Sequence, residues 1–250
     1  MCSINHEKEA IFFHIPKTAG TFIRENLEQY YGFTFYKIKR PDHDSITKSH
    51  LYIEHLKKNY HSGNRIFSIL QYFENTPQSR NIGNYEYMTT SEYINEKTGM
   101  TDEKWKRYYK FAFIRNPYER FVSGYCYVMQ KLNMNIEFGK YIELEDYVSD
   151  FEYIHTFMPQ SKHIFLNVNN MCNFVGNFEI LEDDFKQILL NIGLKDNEII
   201  HSHEKKNVTN HLSMEHFIKT QEILDKLNII LNEDIELFHF TKIEKIEDLK

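Results

Sequence analysis

Short apolar runs alternate along the chain with segments in which apolar residues recur every three or four positions. The runs AIFFHI (10–15) and KFAFIR (110–115) are continuous, which is typical of strands buried in a parallel sheet. Similar short runs between turn residues predict further strands at 33–38, 65–70, 163–167 and 173–178.

Helical spacing follows several of these runs. From Thr21 the apolar positions predict a helix that Gly32 can end. Asn116 and Pro117 predict the start of another helix, as its N-cap and its first turn. The other predicted helices cover 45–58, 91–97, 181–193 and 213–231. Strands that alternate with helices predict a three-layer α/β fold, with a mostly parallel central sheet and a helical C-terminal part.

Composition limits the classes of protein that fit. The 250 residues are 41% hydrophobic and show no linker-like stretch, so we expect a single domain over 1–250. A net charge of −6 offers no general attraction to nucleic acid or to an anionic membrane, and we expect no nucleic acid partner and no membrane span. Three widely spaced cysteines fit neither a disulfide framework nor a zinc site, and no metal site is expected. Because no apolar leader or spanning run is present, we expect a cytoplasmic protein.

The first candidate site lies in IFFHIPKTAGTFIRENL (11–27), where a strand gives way to a helix. The first amides of a helix lack partners within it, and the helix dipole favours an anion there. Lys17 adds a positive charge, Thr18 and Thr21 add hydroxyl donors, and Gly20 allows a close approach of the backbone. This combination suits a phosphate or a sulfate.

The order of these residues differs from that of a Walker A loop, in which the lysine follows the second glycine. Here Lys17 precedes Gly20. For this segment alone, an ordinary strand-to-helix turn with a solvated lysine is the structural alternative.

A second candidate site follows in FAFIRNPYERFVSGY (111–125). Arg115 ends a buried strand, so its head is expected at the same sheet edge as the first site, and arginine suits bidentate phosphate recognition. Ser123 lies two helical turns further on and can donate a hydroxyl, while Arg120 can add charge or pair with Glu119. The alternative is that Arg115 only caps the sheet edge through an ion pair.

Together the two segments resemble the 5′-phosphosulfate and 3′-phosphate motifs of sulfotransferases that use 3′-phosphoadenosine 5′-phosphosulfate (PAPS). The match is to the branch related to heparan and chondroitin O-sulfotransferases and their bacterial relatives. It continues through HTFMPQ (155–160) and FVGNFEILEDDF (174–185), and more weakly through NEDIELFHF (232–240). The resemblance implies a topology like that of P-loop NTPases. Residues 33–109 match poorly, and we expect them to carry acceptor specificity.

The resemblance implies metal-free, in-line transfer of a sulfuryl group from PAPS to an acceptor hydroxyl, leaving adenosine 3′,5′-bisphosphate (PAP). Lys17 is expected to stabilise the charge on the leaving oxygen. The 3′-phosphate is assigned to Arg115 and Ser123. Lys205 and Lys206 are candidates for the same phosphate or the adenine, with a solvated loop as their alternative. The 5′ side is assigned to a continuous segment: Lys17, Thr18, Ala19, Gly20, Thr21 and Phe22.

The motifs do not fix the general base. Many bacterial relatives have a Lys-His-x-Thr stretch before the RNP strand, but the segment in that place here, EYMTT (86–90), carries Tyr87 where the histidine is expected. An unperturbed tyrosine is a poor base near neutral pH. His50, just ahead of a predicted helix, is the first candidate, Tyr87 or a nearby carboxylate comes next, and His14 and His61 are further options.

The resemblance favours a carbohydrate hydroxyl as the acceptor, with a glycolipid head group or a protein tyrosine as alternatives. Two rival functions stay open on the sequence. One is a PAPS- or PAP-binding module without catalysis, which the missing Lys-His pair favours. The other is a P-loop nucleotide kinase, which the position of Lys17 disfavours.

Overall fold

A computed structural model describes residues 2–36, 98–132, 136–143, 158–166, 169–194 and 213–249. The chain divides into two compact units. The first unit holds the described residues up to 116 together with those between 160 and 194, and the second holds the other described residues. The single domain expected over 1–250 stays a prediction.

The described strands at 10–13, 34–36, 109–114 and 174–177 fall on predicted apolar runs. The strands of the described residues are β1 (Cys2–Asn5), β2 (Ala10–Phe13), β3 (Thr34–Tyr36), β4 (Tyr109–Ile114), β5 (Phe165–Leu166), β6 (Asn169–Asn170) and β7 (Phe174–Asn177). Five of them form one sheet in the order β3-β1-β2-β4-β7, and β5 pairs with β6 separately.

This sheet confirms the α/β class but is more mixed than predicted. The neighbours β2, β4 and β7 are parallel, whereas β1 runs antiparallel to both β2 and β3. The prediction rests on continuous apolar runs and misses β1, because CSIN (2–5) contains none and shows only a short alternation of apolar and polar residues. A topology like that of P-loop NTPases stays a prediction.

The helices of the described residues begin and end at clear sequence signals. They are α1 (Gly20–Tyr30), α2 (Asp102–Arg107), α3 (Pro117–Leu132), α4 (Phe138–Ile142), α5 (Ser161–Ile164), α6 (Leu181–Asn191), α7 (Met214–Phe217) and α8 (Gln221–Leu237). Short 3₁₀ turns cover Phe178–Ile180 and Ile246–Asp248. As predicted, Pro117 opens α3, and Gly32 and Gly193 follow their helices with positive φ.

The core of the first unit is aromatic and keeps three strands side by side. Phe12 of β2, Phe111 and Phe113 of β4, and Phe185 of α6 are fully buried in one cluster. A Cβ on Gly176 of β7 would lie 2.5 Å from the Phe113 ring, so β7 can take its place beside β4 only with a glycine there. Parallel pairing then brings the carboxyl ends of β2, β4 and β7 to the same edge of the sheet.

The core of the second unit lies among α3, α4, α7 and α8. It includes an ion pair: Arg120 of α3 and Asp234 of α8 are each 1% exposed, and their charged atoms are 4.0 Å apart. Burial lowers the pKa of Arg120 to about 10, and Asp234 partly offsets this. Arg120, which the sequence suggests as a partner of an anion or of Glu119, lies instead in the core among these helices. The reason is that position 120 falls on the inward face of α3.

One predicted strand is wrong in part. Residues 163–167 are apolar enough for a strand, but His163 and Ile164 complete the short helix α5, and only Phe165–Leu166 are extended. The residues that follow, 167 and 168, lie outside the described part of the chain.

The predicted long helix at 213–231 is also wrong in part. Helix α7 ends at Phe217, and α8 begins at Gln221, where the Thr220 hydroxyl accepts a hydrogen bond from the Ile223 amide. Such a cap favours a new helix start at this position.

Predicted elements at 45–58, 65–70 and 91–97 lie outside the described residues. Among the helices that are described, none combines the length and the apolar character that a membrane crossing requires.

Candidate active site

The loop between β2 and α1, residues 14–19, has a strained backbone. Lys17 and Ala19 have φ values of 71° and 58°, in the left-handed region that residues other than glycine rarely adopt. Each such residue costs roughly 1–2 kcal/mol, and strain of this kind clusters at functional sites. The conformation turns the chain sharply from the end of a strand into the start of a helix, with the half-buried Lys17 at the turn.

Thr18 stabilises this loop from inside. Its side chain is fully buried, and its hydroxyl donates to the Ile15 carbonyl oxygen at 2.9 Å. The hydroxyl predicted to contact an anion is therefore engaged within the loop. Any contribution of Thr18 to a ligand would come from its backbone amide.

The start of α1 is suited to an anion. The N-cap residue, Ala19, offers no side-chain cap, and the first turn contains no acidic residue. The first bond of the helix runs from the Ile23 amide to the Ala19 carbonyl oxygen at 3.1 Å. Thr21 is exposed at this end, while Phe22 packs against the core and anchors the turn. The amides and the dipole of an eleven-residue helix point to this place.

Gly20 is needed for the packing of a histidine. A Cβ built on Gly20 would lie 2.0 Å from Cδ2 and 2.2 Å from Nε2 of His14, far inside contact distance. The His14 ring in turn stacks on Phe12, with ring centroids 6.1 Å apart. The sequence predicts that Gly20 allows a ligand to approach the backbone closely. In the structure, the missing side chain of Gly20 makes room for the His14 imidazole beside the first turn of α1.

Arg115 follows β4 at the same sheet edge as this loop, because β2 and β4 are parallel neighbours. One side chain holds its backbone on both sides. The Arg115 amide donates to Gln160 Oε1 at 2.9 Å, and Gln160 Nε2 donates to the Arg115 carbonyl oxygen, also at 2.9 Å. Gln160 itself is fully buried.

The Arg115 guanidinium lies over an aromatic ring. Its Cζ is 4.3 Å from the centre of Phe178, the residue that follows β7. The parallel register explains the contact, since the last pair, Ile114 with Asn177, precedes these two residues. The face of an aromatic ring attracts a cation, which favours this position of the guanidinium. Next to it, the Asn116 amide donates to Glu179 Oε1 at 3.3 Å.

The predicted site residues fall into three groups. The segment Lys17–Phe22 and Arg115 lie at the ends of adjacent parallel strands of the first unit. Ser123 is half-buried on α3 and belongs to the second unit. The others, including three of the base candidates, lie outside the described residues: His50, His61, Tyr87, Lys205 and Lys206.

The sequence analysis assigns no role to Gln160 or Phe178, although both contact Arg115 in the structure. Both lie in the stretches HTFMPQ and FVGNFEILEDDF that carry the family resemblance, which is the signal that could have drawn attention to them. Within the described ranges, no three His, Cys, Asp or Glu side chains are grouped as metal ligands would be.

The fold and the site define an α/β protein with basic side chains at the carboxyl edge of its sheet, where such folds bind ligands. A model of the sulfotransferase family matches residues 2–241. The chain therefore belongs to this family, as the two motifs predict. Membership supports sulfuryl transfer as its general activity and suggests a transferase.

A relative in Archaeoglobus fulgidus, an uncharacterised protein, is 31% identical over 88 residues. The matched region covers 35% of this chain and 69% of the relative. No solved structure matches the chain.

Proposed function

We propose that the protein transfers a sulfuryl group from PAPS to an acceptor hydroxyl, on a carbohydrate. The observation that carries this proposal is the pairing of β2 with β4, which brings the Lys17 loop and Arg115 to one sheet edge. One anion site would suit many nucleotides. Two separate sites suit a donor that carries a 5′-phosphosulfate and a 3′-phosphate.

The residues present fit such a donor. The uncapped start of α1 and the positively charged Lys17 suit the 5′ side. The Arg115 guanidinium, which lies over the Phe178 ring near the same sheet edge, suits the 3′-phosphate. Ser123, and beyond the described residues Lys205 and Lys206, are proposed partners of the same nucleotide on the strength of the sequence resemblance.

PAPS, when bound, supplies the sulfuryl group together with a bisphosphate leaving group. The chain's part is electrostatic. Lys17 and the first amides of α1 stabilise negative charge on the leaving oxygen, and positioned donors of this kind account for much of the rate in group transfer. A base, for which His50 is the first candidate and Tyr87, His14 or a carboxylate the alternatives, takes the acceptor proton.

Nucleotide preference tests the donor. Calorimetry with PAP and with ATP, each with and without magnesium, should show tighter binding of PAP and no dependence on magnesium. Arg115→Ala should weaken PAP binding by about tenfold to a hundredfold, since hydrogen bonds to charged groups are worth about 1.5–3 kcal/mol. The control is Arg107→Ala, because Arg107 is an exposed arginine at the amino end of β4, paired with Glu9. A preference for ATP with magnesium would instead support a nucleotide kinase.

Transfer to a panel of glycan, glycolipid and tyrosine acceptors tests the reaction. Lys17→Ala should slow transfer by about a hundredfold, the cost of losing one stabilising group, while PAP binding changes less. Lys8→Ala, at a partly exposed lysine in the turn between β1 and β2, is the matched control. Tight PAP binding without transfer to any acceptor would make the protein a nucleotide-binding module.

A further inference from the structure

Gln160 pairs with the backbone of Arg115 as a neighbouring strand would. Its amide oxygen accepts from the Arg115 N–H and its amide nitrogen donates to the Arg115 carbonyl, both at 2.9 Å. The two residues are 45 positions apart in the chain. Gln160 is fully buried and Arg115 is half-buried, so these bonds are partly screened from water, and leaving such backbone groups unpaired is costly.

The sheet itself cannot satisfy these groups. On one side of β4 the last pair is Phe13 with Ala112, and on the other it is Ile114 with Asn177. Arg115 therefore lies just beyond both ladders. Without Gln160, the backbone of Arg115 would lose the two hydrogen bonds that fix it beyond the end of β4. The guanidinium over Phe178 would then shift with the backbone.

The geometry points to Gln160 as a positioning residue for recognition of the 3′-phosphate. It acts through Arg115 by fixing the backbone from which the guanidinium reaches the phosphate. The inference rests on the proposed function, since it assumes that Arg115 binds the 3′-phosphate. Only an amide of this length fits both bonds, because an ionised carboxylate cannot donate and an asparagine is one carbon shorter.

The test compares PAP with adenosine 5′-monophosphate (AMP), which lacks the 3′-phosphate. Calorimetry on Gln160→Glu should show PAP affinity reduced by about tenfold or more, the size of one charge-assisted contact, with AMP affinity unchanged. The preference for PAP over AMP should fall as it does in Arg115→Ala. In the double variant Gln160→Glu/Arg115→Ala, no further loss of PAP affinity is expected.

A matched control separates positioning from loss of stability. Asn5 is also a buried amide that holds two backbone groups, accepting from the Lys8 amide at 2.8 Å and donating to the Tyr31 carbonyl oxygen at 2.7 Å. It lies at the opposite edge of the sheet, where it pairs with Ala10. Asn5→Asp should lower the melting temperature and leave the preference for PAP over AMP unchanged.

Gln160→Asn provides a second test if the buried carboxylate prevents folding, as judged by circular dichroism. It keeps the amide but cannot span both bonds, so it should also reduce the preference for PAP. A folded Gln160 variant that keeps the full preference, while Arg115→Ala loses it, would overturn the inference alone. A parent protein with no preference for PAP over AMP would overturn the proposed function, and this inference with it.

Discussion

At the scale of single residues, Gly20 and His14 illustrate how one missing methyl group shapes the candidate site. The imidazole occupies the space that a Cβ on Gly20 would need. Gly20 has no unusual φ angle, so this contact, and not backbone freedom, is the reason for a glycine.

Gly20→Ala is expected to destabilise the protein. In an unobstructed helix the change would gain up to about 1 kcal/mol from the reduced backbone entropy of the unfolded chain. Here the new Cβ would lie 2.0 Å from His14 Cδ2, so the ring or the helix start must move. Overpacking of this kind costs about 1–3 kcal/mol, which outweighs the gain. Urea unfolding should show the loss, and calorimetry should show weaker PAP binding.

The companion variant is His14→Ala. Combined with Gly20→Ala, it removes the obstructing ring and should recover stability relative to Gly20→Ala alone. If Gly20→Ala proves as stable as the parent protein, the contact with His14 does not explain the glycine.

At the scale of elements, the buried ion pair joins α3 to α8. Arg120 and Asp234 lie among the apolar side chains of these helices. The same two helices share a second polar contact, since the Tyr118 hydroxyl donates to Asn228 Oδ1 and Asn228 Nδ2 donates to the Ile243 carbonyl oxygen. Polar partners inside an apolar interface fix which helix faces meet, since a shifted register would leave them unpaired.

Asp234→Asn is expected to destabilise the protein by about 3 kcal/mol, because it leaves the Arg120 charge buried without its counter-ion. Chemical unfolding followed by circular dichroism measures the change. The control is Asp225→Asn on the exposed side of the same helix, where the carboxylate accepts from the Gln221 amide, and it should be nearly neutral. A loss at position 234 no larger than at 225 would refute a structural role for the pair.

At the scale of the whole molecule, several weak acids are buried in their protonated forms. Burial raises the pKa of Cys2 from 9.0 to about 11. It also raises the pKa of four tyrosines from their usual value: Tyr108, Tyr109, Tyr118 and Tyr125. All five groups hold their protons to higher pH in the folded chain than in the unfolded one.

Stability should therefore fall in alkaline solution. The unfolded chain releases these protons first, so the stabilisation from Cys2 is complete below about pH 9 and is lost as the pH rises through about 11. For Cys2 alone this amounts to about 3 kcal/mol, and the tyrosines act in the same direction. Denaturant unfolding from about pH 8 to about pH 11 measures the slope.

Cys2→Ala isolates the share of the thiol. It should be less stable near neutral pH, because it leaves a small cavity, but its stability should decline less steeply above about pH 9. An identical slope in both proteins would show that Cys2 does not contribute.

Much of the candidate site could be predicted because its residues lie close together within short segments of the chain. The lysine, the glycine and the helix start occupy one stretch, and Arg115 closes an apolar run whose length and continuity indicate a buried strand. Errors arose where local signals compete. The apolar run at 163–167 lacks the length that separates strand from helix, and Thr220 divides a segment whose apolar spacing looks continuous.

The sequence by itself determined the strand-to-helix turns, the two basic motifs and membership in the sulfotransferase family, since these depend on neighbours along the chain. Tertiary structure decided the rest. It engages Thr18 inside its own loop, buries Arg120 against Asp234, lays the His14 ring where Gly20 lacks a side chain, and brings Gln160 onto Arg115. The physical reason is that burial and hydrogen-bond partners are set by segments far apart in sequence, which meet only when the core packs.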